Sequence, residues 1–194
     1  DKLLNPKYIV FHTNNKTIEG KEEMIKNAFE NLDEIKGWSQ TPLVIENAGV
    51  KKNSLFDEEE FIETLRIREE NALIDIGHVK ANGWNLENVI EKLSDKIVSY
   101  HIHTNDGLHD QHLSVSKDYD ELKDFVNLYK KYTPDADIVL EYNATYEGKE
   151  DIVVEDIKQL LEYLKWSPKR KISLRNELIW ARFLIYLLKN PYRQ

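Results

Sequence analysis

Residues Lys96 to Val115 read KIVSYHIHTNDGLHDQHLSV, and no other part of the chain constrains its architecture as much. The segment opens as a β-rich run, Ile97 to His103, in which His101 and His103 share one strand face at different depths. It then becomes a loop carrying Asp106, His109, Asp110 and His112, so that four of the chain's six histidines fall within it. Imidazoles and carboxylates gathered on a strand end and the loop leaving it are metal-ligand chemistry. A polar surface loop that is merely rich in histidine is the bland alternative. It loses weight once the flanking segments are read the same way.

On either side the chain alternates strand and helix. Upstream, Lys7 to His12 (KYIVFH) is a short β-rich run ending in histidine, and Leu43 to Glu46 (LVIE) is a buried-type strand ending in a carboxylate. Ala72 to Ile76 is a strand ending around Asp75, with His78 just past Gly77. Between them, Lys21 to Trp38 places Met24, Ile25, Ala28, Phe29, Leu32 and Ile35 at helical spacing, and Asp57 to Glu70 returns to that period through Phe61, Ile62 and Leu65. Asn85 is the predicted N-cap of a helix using Leu86, Val89, Ile90 and Leu93. Downstream, Asp118 to Tyr132 is a helix, Asp137 to Tyr142 (DIVLEY) is a strand that again reaches a glutamate, Glu141, and Glu150 to Trp166 is the last helix of the pattern. Five strand-then-helix units predict an α/β fold with a parallel sheet. The apolar runs fit strands covered on both faces.

The tail breaks this rhythm. Ser167-Pro168 stops the preceding helix, Lys169-Arg170-Lys171 is a basic cluster, and Leu174 to Lys189 is a strongly apolar helix. The expected division is a barrel-type unit over 1–166 and a basic, apolar helical extension over 167–194. Such a helix plugs a core or joins copies of a chain more often than it meets a membrane or a nucleic acid.

The 194 residues suffice for one sizeable core, and 41% hydrophobic content without a long apolar run predicts a globular chain with no membrane span. The absence of cysteine excludes a disulfide framework and Cys-ligated zinc; with no visible signal peptide it predicts a cytoplasmic protein. A formal charge of −8 disfavours a broad nucleic-acid surface and leaves only a local basic strip for that role.

Five strands thus end, with one polarity, in His12, Glu46, Asp75 (with His78), His103 and Glu141. The C-terminal ends of strands in a parallel barrel or doubly wound sheet share one face, where sites are built. Singly, each residue has an ordinary explanation as a strand-end charge or a rim histidine. Together they predict a hard, oxygen-rich site for a divalent metal ion, Mn, Mg, Co or Zn. His103, nearer the strand end, is the better ligand, and His101 is assigned to packing or to hydrogen bonding behind it. Asp110 and His112, with His78 across the mouth, form a second metal site or a substrate-binding wall, and Asp106 orders the loop.

The segments IVFH, LVIENAG, LIDIGHVKANGW, HIHTNDGLHDQHL and IVLEYN resemble the successive strand-end motifs of the xylose-isomerase-like TIM-barrel superfamily. That superfamily includes sugar and sugar-phosphate isomerases and epimerases, and endonuclease IV (AP endonuclease family 2). The resemblance covers roughly residues 7 to 165 and is most specific from Asp75 to His112. It implies an eight-stranded (β/α) barrel of typically ~250 residues, of which this chain matches the last five strands. The expectation is therefore an incomplete barrel, in line with a chain that opens on Asp1. Five strands cannot close with barrel geometry, so the exposed sheet edges or the C-terminal helix are where copies would associate.

By resemblance to the ketose epimerases, Glu46, Asp75, His103 and Glu141 would hold one divalent metal, with Glu46 and Glu141 as the acid–base pair and His78 touching substrate oxygens. By resemblance to endonuclease IV, Glu46 would bridge a first zinc, also held by His12, to a second held by Asp75, His103 and Glu141. A third zinc would then fall to His78, Asp110 and His112. Two departures weigh against the nuclease. A further histidine expected on the first zinc would come from a strand not matched here, and Ser114-Val115-Ser116-Lys117-Asp118 replaces the usual glycine-rich stretch. The leading expectation is a metal-dependent isomerase or epimerase of a small sugar or related polyol, with the zinc nuclease second. An inactive partial barrel serving as a binding or assembly module is third.

Overall fold

The computed structural model describes residues 6–13 and 19–165. Strand β1 (Ile9–His12) is followed by α1 (Lys21–Trp38), β2 (Leu43–Glu46), α2 (Glu58–Ile67) and β3 (Asn71–Asp75). The chain continues through α3 (Ile76–Asn82), α4 (Leu86–Lys92), β4 (Ile97–Ile102), α5 (Tyr119–Tyr132), β5 (Asp137–Leu140) and α6 (Glu150–Lys165). The five strands form one parallel sheet in the order β1-β2-β3-β4-β5. This is the expected α/β architecture, a TIM-barrel type of sheet with five βα units. The expected C-terminal helix lies outside the described residues.

The helices start where side chains can satisfy free backbone N–H groups. Asp57 and Glu60 form a reciprocal capping box at α2, Asn85 accepts from Asn88 N–H at 3.0 Å, and Asp118 accepts from Glu121 N–H at 3.0 Å. Their apolar stripes then meet the sheet. Leu32 of α1, Phe61 and Leu65 of α2, Ile90 of α4, Phe125 of α5 and Leu160 of α6 join Ile45, Ile74, Tyr100 and Ile102 in one core. β2 is buried along its whole length, whereas every residue of β5 is half-buried, as befits an edge.

The sheet curls strongly. Lys7, just before β1, reaches Asp137 at the start of β5 with a 2.7 Å ion pair. In a flat sheet those two edge strands would lie four spacings, ~19 Å, apart, beyond the reach of two side chains. Barrel-type curvature brings the edges toward each other. It also turns all five C-terminal strand ends toward one concave mouth.

The short helix α3 has no counterpart in the sequence expectation, which ends a strand around Asp75 and places no helix before Asn85. Asp75 creates it. Its side chain accepts from His78 N–H at 2.9 Å and caps the helix that carries His78.

Candidate metal centre

The register of the sheet levels the strand ends. His12 pairs with Glu46 across β1 and β2, and Asp75 pairs with His101 across β3 and β4. Parallel β4 delivers His101 at its face and His103 just past its end, while Glu141 follows β5 and donates its N–H to Ile102 O at 3.2 Å. Side-chain amides extend the sheet beyond its own ladder. Asn47 binds both the N–H and the carbonyl of Asp75, at 2.7 and 3.0 Å. Asn105 donates to Gly77 O at 2.8 Å, and Asn143 donates to Gln111 O at 2.6 Å. Each clamp fixes the backbone beside a ligand-type residue.

Two groups of ligand atoms result, with all atoms of each group within 4.8 Å of one another: Glu46, Asp75 and His101, and His78, His103, Asp110 and His112. They are contiguous. His103 Nε2 lies 3.0 Å from Asp75 Oδ1 and 3.8 Å from Asp110 Oδ1, and His78 Nδ1 lies 3.6 Å from Glu46 Oε1. His12 Nε2 reaches Glu46 Oε2 at 2.8 Å. Glu141 Oε2 lies 2.9 Å from His101 Nδ1 and 3.8 Å from His112 Nδ1. All eight residues singled out above, His12, Glu46, Asp75, His78, His103, Asp110, His112 and Glu141, therefore stand around one mouth. His101, assigned to packing or hydrogen bonding behind His103, also presents its ring to the acids. Its shared strand face with His103 was the available signal. Asp106 orders the loop, accepting from the N–H groups of Leu108 and His109 at 2.9 and 2.8 Å.

The packing at this mouth is tight. Asp75 is fully buried, and Glu46 and His103 are each 1% exposed. A Cβ on Gly77 would meet His103 Cε1 at 2.0 Å, so only glycine lets that ring lie on the α3 backbone. The His103 and His112 rings stack at 4.0 Å. His112 takes φ 47, the left-handed region that costs a non-glycine residue of order 1–3 kcal/mol.

Among the described residues, the charged partners of these acids are all imidazoles. Burial disfavours charge on His78, but Asp110, Asp75 and Glu46 outweigh it and raise the ring to about 9. The hydrogen bond it donates to Asp110 raises His112 to about 9 as well. Burial opposes ionisation of Asp75, yet His103 and His78 hold it below the ordinary carboxylate range. Among the described residues, Asp75 Oδ2, His78 Nδ1, His101 Nδ1 and His103 Nε2 are buried without a hydrogen bond. The 3.0 Å His103–Asp75 and 2.9 Å His101–Glu141 approaches are thus close without being aligned as hydrogen bonds. Buried carboxylate oxygens and imidazole nitrogens this close together, four of them without a hydrogen bond among the described residues, fit a divalent cation of the Mn, Mg, Co or Zn class that would take the place of the ring protons.

No family model matches the chain. A Methanocaldococcus jannaschii protein described as "Uncharacterized protein MJ1614" is 30% identical over 161 residues, which cover 82% of this chain and 61% of that protein. The crystal structure of a D-tagatose 3-epimerase-like protein matches with a TM-score of 0.60 at 19% identity, over 82% of this chain and 65% of that one. The chain therefore spans less than two thirds of the length of either. What it shares with the solved structure is the fold: a parallel, curled α/β sheet of the TIM-barrel type, in five units.

Proposed function

We propose that the mouth of the sheet is the active site of a divalent-metal-dependent isomerase or epimerase of a small sugar or related polyol. The observation that carries this reading is the convergence of Glu46 and Glu141 on one atom, His101 Nδ1, at 3.7 and 2.9 Å, with buried Asp75 beside them. Glu46, Asp75, His103 and Glu141 would hold the ion, which when bound would supply Lewis-acid polarisation of a substrate carbonyl. The chain's own residues do the rest. One of the two glutamates removes the proton next to the carbonyl and the other returns one, to the opposite face of the same carbon in epimerisation or to the neighbouring carbon in isomerisation, and their different settings suit these roles. Glu46 has a side chain only 2% exposed, whereas that of Glu141 is 42% exposed and open to solvent exchange. His78 and His112 wall the mouth, and the buried base of the site excludes water from the reacting carbon. The D-tagatose 3-epimerase-like neighbour supports the reading at the level of fold. Elemental analysis should find one bound divalent ion, and a ketose incubated with the protein in D₂O should gain deuterium. A chain that binds ion tightly but exchanges no ketose proton would overturn the catalytic assignment.

A second reading is favoured by one specific observation. His78, His103, Asp110 and His112 form a ligand group of their own, and His12 sits on Glu46, which is more donors than one ion uses. Spread over a zinc cluster, they would suit hydrolysis of a phosphodiester beside an abasic site, as in the endonuclease IV branch of the resemblance. Three zincs per chain, with nicking of abasic DNA, would decide for it.

A further inference from the structure

Asp156 lies on α6, outside the ligand groups, and is fully buried. No Lys, Arg or His pairs with it among the described residues; three hydroxyls do. Ser114 Oγ donates to Oδ2 at 2.6 Å, Tyr142 Oη donates to Oδ2 at 2.8 Å, and Tyr119 Oη donates to Oδ1 at 3.1 Å. Well-packed apolar side chains in place of such a buried polar cluster are often as stable or more so. Its retention here points to a geometric duty.

The geometry shows which one. Ser114 ends the loop that carries Asp110 and His112, and Tyr142 directly follows Glu141. The tyrosine hydroxyls also accept from the loop backbone, Tyr142 from Val115 N–H at 3.1 Å and Tyr146 from Ser114 N–H at 2.9 Å. The two arms are then pinned together at the strained residue itself, where Asn143 N–H donates to His112 O at 3.0 Å, and the loop is closed on the end of β4 by Leu113 and Thr104, which exchange backbone hydrogen bonds at 3.0 and 2.9 Å. Residues 115–117, in the segment that departs from the glycine-rich pattern, form a 3-10 turn seated on this node.

We propose that Asp156, acting through Ser114 and Tyr142, is a positioning residue that locks the His112 loop to the Glu141 strand end. Without it, the left-handed backbone at His112 relaxes and the two arms separate. The structural claim stands on the hydrogen bonds alone, and its consequence for ion binding rests on the proposed metal centre.

The test uses the full chain with Tyr142→Phe, which deletes one hydroxyl and keeps the ring, and Asp156→Leu. Leu160→Ala on the same helix is the control for general loss of stability. Without ion, amide exchange by NMR should speed about tenfold or more at Leu113 and Asn143 in both node variants, and not at β2. With Co²⁺ alone as the probe, both should weaken binding about 10- to 100-fold and change the visible spectrum. Wild-type exchange rates at Leu113 and Asn143 in Tyr142→Phe would overturn the proposal, as would equal acceleration there in Leu160→Ala. If the wild-type chain binds no cobalt, the metal centre falls, and the exchange measurement still decides the role of Asp156.

Discussion

Glu70 and Asp75 stand at opposite ends of β3, both buried, in opposite electrostatic company. Glu70, with its side chain 3% exposed, receives Arg68 at 2.8 Å and Lys36 at 2.7 Å, and Lys96 binds the backbone carbonyls of Arg68 and Glu70. Arg68 is itself steadied by Asp33 at 2.7 Å. Among the described residues Asp75 has no lysine or arginine, only imidazoles and the His78 backbone N–H, and one of its oxygens has no hydrogen bond. A buried carboxylate costs several kcal/mol unless its charge is met. At the foot of the sheet permanent cations meet it. At the mouth the counter-charge is titratable, and lone pairs remain for something to bind. One end of the strand is built for stability and the other for occupancy.

The sharpest way to break this contrast is at the chemistry. Glu141→Gln should lower solvent-deuterium incorporation into a ketose about 10²- to 10⁴-fold with an unchanged circular dichroism spectrum. An undiminished rate would remove Glu141 from proton transfer. Next in size is the foot of the sheet: Glu70→Ala removes two charge-assisted hydrogen bonds, from Arg68 and Lys36, so urea denaturation should show a loss of about 3 kcal/mol. A loss under 1 kcal/mol would mean that the foot is no better paired than the mouth.

Occupancy comes third. A divalent ion at 100 times its Kd should stabilise the chelator-treated protein by about 2.7 kcal/mol and raise the thermal midpoint accordingly, whereas Lys and Arg already fill that role at Glu70. Acid comes fourth. Burial pushes the Glu70 carboxyl up, but the Arg68 and Lys36 hydrogen bonds prevail and hold it at about 2, below its ordinary 4.5. Its contribution is therefore complete above pH 4.5 and disappears as the pH falls toward 2, on the order of 2 kcal/mol, and Glu70→Gln should flatten the stability curve in that window. The smallest effect should be Asp75→Asn in the ion-free chain. Asparagine still caps α3, so stability should change by less than about 1 kcal/mol while ion affinity collapses.

Much of this contrast could be read from the residues and some of it could not. The helix over Lys21 to Trp38, the caps at Asn85 and Asp118, and the strand ends at Glu46 and Asp75 are local: apolar spacing and a side chain able to reach a nearby N–H specify them. Helix α3 escaped because its start coincides with a strand end, where Asp75 reads as a ligand and not as a cap. Asp156 carried a faint one, an aspartate on the stripe shared by Val153 and Leu160, which matters only once its hydroxyl partners are known. The part played by His101 turned on depth within the mouth, which strand alternation cannot supply.

Pattern and chemistry along the chain were enough to name a parallel α/β sheet and the ligand-type residues at its strand ends, because both depend on side-chain period and on the common polarity of parallel strands. Folding in three dimensions set the distances: how far the sheet curls, which imidazole faces which acid, and which carboxylates find a lysine or arginine. Many of those outcomes depend on contacts between residues far apart in the chain, such as Lys7 with Asp137 and Glu46 with His12, which no local rule encodes.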